Sequence, residues 1–478
     1  MGEHTAPRRG PSIATVVSGR SVGQLAFMPA MRRALLLALL AVPSSLAAQA
    51  RPFGTLREQA DLRQGWLADR LDTQLAPLMR RDSIDMWIMP MREYAEDPVF
   101  TALAGPTTFA ARRRTIYVFY DPGAGRGIER LALGGSSQGG VFTVLRAEGA
   151  GAAGTRMARA ELWGDEQWQL LRRIVEQRKP RRIAVNTSRV FAFADGLTAG
   201  ERDAMLAALG PDWRARVVPA ERLAVDFLAV RLPGEGEVFA DMVKLNWALI
   251  DTMFSAKVVV PGTTRTSDLV WWFRQRTNDL GLGTWFQPSV TVQRKGVTSE
   301  DLGDDPVIRP GDVLHCDVGV TALGLNTDIQ HMGYVLHPGE TEVPAGLKAA
   351  LARSNRLQDI VLAELRSGRS GNEVLSAARA TMLAEGIDGS IYSHPIGLHG
   401  HGAGPLIGLW DRQDGVPGRG DHRVLPDTWF SIELQAALPV PEWDGQLVRS
   451  AQEEDVVLGA DGVPRWAWRR QTEYHLVR

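Results

Sequence analysis

The chain has 478 residues, 44% hydrophobic and 23% charged, with a formal net charge of -1. That is the composition of a globular protein long enough for two domains, and its near-neutral balance gives no electrostatic reason for a nucleic-acid or anionic-membrane partner. The single cysteine, Cys316, excludes an internal disulfide, so the fold must rest on its core.

The first element is a leader. Met31, Arg32 and Arg33 supply a positive start, residues 34–42 (ALLLALLAV) an apolar core, and Ala48, Gln49 and Ala50 a small-x-small cleavage pattern. The apolar run is shorter than the roughly 20 residues that span a bilayer. The expectation is an exported, periplasmic or secreted chain cleaved after Ala50, with no membrane anchor afterwards and with translation starting at Met1, Met28 or Met31. Cys316 lies too far from the leader to carry a lipid.

Residues 56–79 carry a helical pattern, 85–90 and 115–120 read as strands, 158–177 as a helix and 182–185 as another strand. This alternation predicts an N-terminal α/β domain over 51–232. The glycine-rich stretches at 134–140 and 149–154 lack the strand-to-helix setting of a phosphate cradle and take no function here. The basic runs at 112–114 and 179–182 read as solvated surface. A linker with Pro233, Gly234 and Gly236 leads to a second, α+β domain over 237–478. Its order is two amphipathic helices (238–256 and 267–280), a hairpin over 312–336, two more helices (345–366 and 373–385), and several strands.

The strongest chemical signal lies in that hairpin. Asp317 and Asp328 stand eleven positions apart, centred on Ala322 and Leu323. A symmetric hairpin sets them opposite each other on one face, at about 4.5–5.5 Å between Cβ atoms. Two carboxylates that close on an apolar sheet are costly unless a cation lies between them. Glu433 and Glu454 repeat the arrangement about a turn in PEWDGQ (441–446), with the adjacent Glu453 then on the opposite face, a choice that a different turn length would reverse. Four carboxylates and an imidazole form a ligand set for two divalent ions, Mn²⁺, Co²⁺, Zn²⁺ or Fe²⁺. Such a pair can hold a hydroxide and polarise a carbonyl. The imidazole comes from the cluster His394, His399 and His401.

These residues resemble the pita-bread metallopeptidases: methionine aminopeptidase, Xaa-Pro aminopeptidase and prolidase, with creatinase on the same fold. Asp317-Val318-Gly319, Asp328, Glu433 in FSIE and Glu454 in AQEEDVVL fall where that family has its acidic ligands. His394-Pro-Ile-Gly397-Leu-His-Gly-His401 matches the family's His-x-x-Gly-x-x-x-His, which implies His394 on the metal and His401 near the substrate carbonyl. A GHGxG reading of 400–404 would exchange them but leaves Gly408 where the second histidine belongs. His399 has no family role. The resemblance implies a pita-bread catalytic domain behind a creatinase-type α/β domain, with metal ligands Asp317, Asp328, His394, Glu433 and Glu454 and catalytic residues His401 and Glu433. It also implies an exported peptidase cleaving near the N-terminus of peptides through a dinuclear, metal-bridged hydroxide. A peptide is the expected partner, and a homodimer is left open. Alternatives are a creatinase-like C–N hydrolase without metal and a non-catalytic peptide-binding protein. Leu434 replaces the proline that often follows the first glutamate, and three departures bear on proline specificity: there is no histidine between Val290 and Asp312, Ser390 stands where a histidine precedes the metal histidine, and His331 stands where an arginine is common. Trp410, Trp429 and Trp443 are candidates for a pocket wall or for the core.

Overall fold

In the computed structural model, residues 51–123, 125–145 and 164–478 are described. The leader and the 149–154 loop lie outside them. The residues after the leader pack as one compact unit carrying two large sheets. Among the described residues no helix is long and apolar enough to cross a membrane.

The first sheet is built from β1 (Met86–Arg92), β2 (Arg114–Tyr120), β3 (Glu129–Leu133), β4 (Thr143–Leu145), β5 (Ile183–Val185) and β6 (Val217–Pro219), in the order β4-β3-β2-β1-β5-β6. Strand alternation divides β1 between two cores. Trp87, Met89 and Met91 pack with helices Leu56–Thr73, Leu75–Arg81 and Glu221–Ala229. Met86 and Ile88 pack with helices Asp165–Arg178 and Ala199–Leu209. Covered on both faces, the central strand reads as a continuous apolar run rather than an alternating one.

Pro233, Gly234 and Gly236 do not form a separate connector; they are the first turn of helix Pro233–Met253. Proline suits that position because its missing N–H would be unpaired there anyway. The turn also carries a buried charge cluster. Glu235 accepts from the Leu232 N–H at 2.9 Å and pairs with Arg70 at 2.7 Å and Arg231 at 3.8 Å.

The second sheet contains β7 (Ser289–Gln293), β8 (Val313–Val318), β11 (Ile329–Val335), β12 (Asp388–Ile391), β14 (Thr428–Val440) and β15 (Gln446–Leu458), in the order β12-β14-β15-β11-β8-β7. The short strands β9 (Thr321–Ala322) and β10 (Leu325–Asn326) extend the β8–β11 hairpin, and β13 (His394–Ile396) pairs with β14. One face packs on helices Pro233–Met253 and Thr266–Asp279 at the β8 side, and on helices Ala345–Glu364 and Gly371–Ala384 at the β14 side. The other face lines a cavity of about 1080 Å³.

Both acidic hairpins form, each in a register other than the expected one. In the first, Leu323 and Gly324 both take positive φ, 52° and 81°, as a two-residue type I′ turn requires. That turn sets Asp317 opposite Gln330. Asp328, two residues before Gln330, is therefore a diagonal neighbour of Asp317 on the same face, not its direct partner. In the second hairpin the loop is five residues, 441–445, centred on Trp443, and Asp444 and Gly445 take left-handed φ values of 55° and 80°. Glu433 consequently faces Glu453, and Ile432 faces Glu454.

Candidate metal centre

Alternation decides which side chains meet at the cavity floor. Leu314, Cys316 and Val318 of β8, and Ile432 and Leu434 of β14, point into the helix-side cores. Asp317, Gln330, Glu433 and Glu453 therefore point the other way, with Asp328. Gln330 lies at the centre of the group. Its Nε2 donates to Glu433 Oε1 at 2.6 Å and to Glu453 Oε2 at 2.7 Å. The remaining oxygens of both glutamates face His394, whose Nε2 lies 3.2 Å from Glu453 Oε1, 3.7 Å from Glu433 Oε2 and 3.7 Å from Asp328 Oδ2. His394 Nδ1 lies 3.0 Å from the Pro395 carbonyl. An N–H donated there leaves the Nε2 lone pair directed at the carboxylates.

These donors fit a metal centre. Asp317, Asp328 and Glu453 offer ligand atoms all within 4.8 Å of one another, and so do His394, Glu433 and Glu453 and also Asp328, His394 and His401. Two of these trios share Glu453. Asp317 Oδ1 and Asp328 Oδ1 are buried with no hydrogen-bond partner. Burial, followed by repulsion from Glu453, holds the carboxyls of Asp317, Asp328 and Glu433 well above the usual carboxylate range. Bound cations remove that cost.

Glu454, the residue expected from the sequence, lies on the other side of the sheet. The one-residue difference in the β14–β15 turn exchanges the faces of Glu453 and Glu454. Glu454 is fully engaged there. Its Oε1 accepts from the Gln471 N–H at 2.7 Å and lies 3.0 Å from His331 Nε2, and its Oε2 accepts from Trp247 Nε1 at 3.1 Å.

The three clustered histidines separate. His394 sits among the carboxylates. The His401 ring lies beside it, 4.6 Å between centroids, and in contact with Trp285 and Tyr392. Desolvation of this ring, with a smaller contribution from His394, pushes its pKa down to about 4, so it is a neutral imidazole with an N–H to donate at neutral pH. His399 packs on Phe193, away from the cluster. The glycines between them have a steric reason: a Cβ on Gly400 would lie 2.1 Å from the Trp285 ring. Of the three tryptophans, Trp410 lines the cavity, Trp429 stacks on Phe239 in the core, and Trp443 is buried.

Three neighbours of the cluster had no separate signal in the sequence. Gln330 and His315 occupy the phase of Asp328 and Asp317, two residues away on the same strands, and His315 Nε2 lies 3.0 Å from Gln330 Oε1. Tyr392 stands 5.5 Å from the His394 ring. Period-two counting from the aspartates locates the first two; no pattern points to the third.

Residues 243–459 match the profile of metallopeptidase family M24. This segment of the chain is of the M24 metallopeptidase type. The M24 segment contains every residue of the cluster, and the family makes the chain a hydrolase of the metallopeptidase type, on the pita-bread fold. No curated protein matches the chain by sequence. Among solved structures, an X-Pro aminopeptidase from Thermotoga maritima MSB8 is similar at 19% identity and TM-score 0.57, over 84% of this chain and 100% of that one. A dipeptidase from Pyrococcus horikoshii OT3 is similar at 16% and 0.54, over 87% and 100%. An Xaa-Pro dipeptidase from Bacillus anthracis is similar at 16% and 0.52, over 87% and 100%. At these identities the likeness establishes the fold, which extends beyond the M24 segment into the first sheet.

Proposed function

We propose that the protein is an exported exopeptidase of the Xaa-Pro aminopeptidase or prolidase type, with two divalent ions held by Asp317, Asp328, His394, Glu433 and Glu453. The observation that carries this reading is the pair of ligand trios meeting at Glu453. Residues 237–478 form its catalytic domain and 51–232 the domain in front of it. Ions of the manganese, cobalt, zinc or iron type supply an activated water and polarise the scissile carbonyl when bound.

The side chains divide the remaining work. Asp317 and Glu433 front the cavity, and Asp328, His394 and Glu453 lie beneath them. Glu433 is thus the carboxylate best placed to take a proton and pass it to the leaving amine. His401, neutral and exposed beside His394, donates its N–H to the developing oxyanion. Gln330 holds one oxygen of each glutamate and leaves the other free for a cation.

Metal analysis by mass spectrometry, combined with a peptide-library digest, tests the reading on the purified protein and its Asp328→Ala variant. The expected result is two ions per chain and cleavage near peptide N-termini, both lost in the variant. Less than one ion per chain with activity unchanged in Asp328→Ala overturns it.

A further inference from the structure

The acidic residues of the cluster lie on two halves of the second sheet, and the ladder between the halves is short. β8 and β11 pair along nearly their whole lengths and bring Asp317 and Asp328 together; β14 and β15 do the same for Glu433 and Glu453. Between the halves, among the described residues, β11 and β15 pair at a single position, Gln330 opposite Glu453. Continued in that register, the ladder would set Asp328 opposite Asp455 and Met332 opposite Ala451.

Side chains take the place of both of those rungs. On one side of the bridge, Asp455 Oδ2 accepts from the Asp328 N–H at 3.2 Å. On the other, the Gln471 amide stands in for a strand. Its Oε1 accepts from the Met332 N–H at 2.8 Å, and its Nε2 donates to the Met332 carbonyl at 2.7 Å.

Gln471 belongs to the segment after β15, which enters the gap where the two strands part. Within it, β16 (Pro464–Trp466) pairs with β15, and β17 (His475–Val477) pairs with β11. Gln471 is buried between them, and its main chain is bound to β15 as its side chain is to β11. The Gln471 N–H donates to Glu454 Oε1 at 2.7 Å, and its carbonyl accepts from Gln452 Nε2 at 3.1 Å. One residue therefore bridges the seam with hydrogen bonds to both strands. Behind the sheet the same segment supplies His475, whose Nε2 lies 3.0 Å from His331 Nδ1, and His331 Nε2 lies 3.0 Å from Glu454 Oε1.

Buried main-chain groups have to be paired, so the placement of β11 relative to β15 depends on the amide that pairs Met332. We infer that Gln471 is a positioning residue for the metal centre: it fixes the separation of the strands that carry Asp328 and Glu453. Docking of the 467–477 segment and binding of cations across the seam then stabilise each other, because coupling of this kind is reciprocal.

The inference rests on the metal-centre reading, and one experiment separates the two. Co²⁺ affinity, by calorimetric titration, and the visible spectrum of the cobalt form are measured on wild type, Gln471→Met and Arg470→Met. Gln471→Met keeps the length of the side chain and removes both bonds to Met332. Arg470→Met disturbs the same segment, but the Arg470 guanidinium binds the Asn355 carbonyl and Asp359 on helix Ala345–Glu364 rather than either strand. Amide hydrogen exchange over 467–477 is followed in wild type with and without Co²⁺. Gln471→Met should bind Co²⁺ about 10- to 100-fold more weakly, the usual effect of losing a group that orients ligands, with an altered spectrum. Arg470→Met should match wild type in both, and Co²⁺ should slow exchange in the segment. Unchanged affinity and spectrum in Gln471→Met, an equal loss in Arg470→Met, or exchange indifferent to Co²⁺ overturns the positioning role and leaves the metal centre standing. If Gln471→Met does not fold, the wild-type exchange decides. A wild type that binds no Co²⁺ removes both.

Discussion

Glu433 and Glu453 face each other across β14 and β15, and a single amide, that of Gln330, donates to both. The amide fixes which oxygen of each glutamate is left for a cation. Side chains that orient ligands in this way typically contribute 10- to 100-fold in metal affinity. Gln330→Leu should therefore weaken binding of Co²⁺ by about that factor, read by calorimetric titration, and alter the visible spectrum of the cobalt form. An unchanged affinity and spectrum would show that the glutamates orient themselves.

The two inner histidines should fail differently. His394 meets three carboxylates through one nitrogen, so His394→Ala should lose bound metal together with activity. His401→Ala should keep its metal and lose about 10²- to 10³-fold in kcat, the usual effect of removing one oxyanion donor. Metal content and kcat measured on both variants decide the assignment. If His401→Ala loses the ion and His394→Ala retains it, the roles are reversed.

Much of this centre could be read from the sequence because hydrophobic alternation and the two acid pairs are local signals. Asp317, Asp328 and Glu433, on the two hairpins, come together with His394 and His401 of the histidine-rich segment. What spacing could not supply was the register of each hairpin. The left-handed residues Leu323 and Gly324 shift one turn, and Asp444 and Gly445 give the other an odd-numbered loop. A one-residue change exchanges faces, hence Glu453 in place of Glu454. Tyr392 reaches the site through tertiary placement alone. The first turn of helix Pro233–Met253 resembles a linker in composition, and only the burial of Glu235 between Arg70 and Arg231 explains its order.

A separate prediction concerns the first sheet. Burial raises the carboxyl of Asp97 to about 6, against hydrogen bonds from the Val99 N–H and Asn186 that favour its charged form. A pKa higher in the folded than in the unfolded state means that the folded state binds more protons in between. Its contribution is fully present below about pH 4 and is lost as pH rises through about 6. Wild type should therefore lose about 2–3 kcal/mol more stability than Asp97→Asn between pH 4 and pH 7, on an order-of-magnitude basis. Urea unfolding of both proteins across that range checks it. Parallel stability curves would mean that the carboxyl titrates alike in both states.

The central claim is that Glu453, and not its neighbour, completes the ligand set, and metal stoichiometry of Glu453→Gln and Glu454→Gln tests it most directly. Glu453 belongs to two ligand trios, whereas Glu454 is bound by Trp247, His331 and Gln471 behind the sheet. The account predicts two ions in wild type, at most one in Glu453→Gln, and two in a less stable Glu454→Gln. A Glu453→Gln protein that keeps both ions, with metal lost from Glu454→Gln, would contradict it.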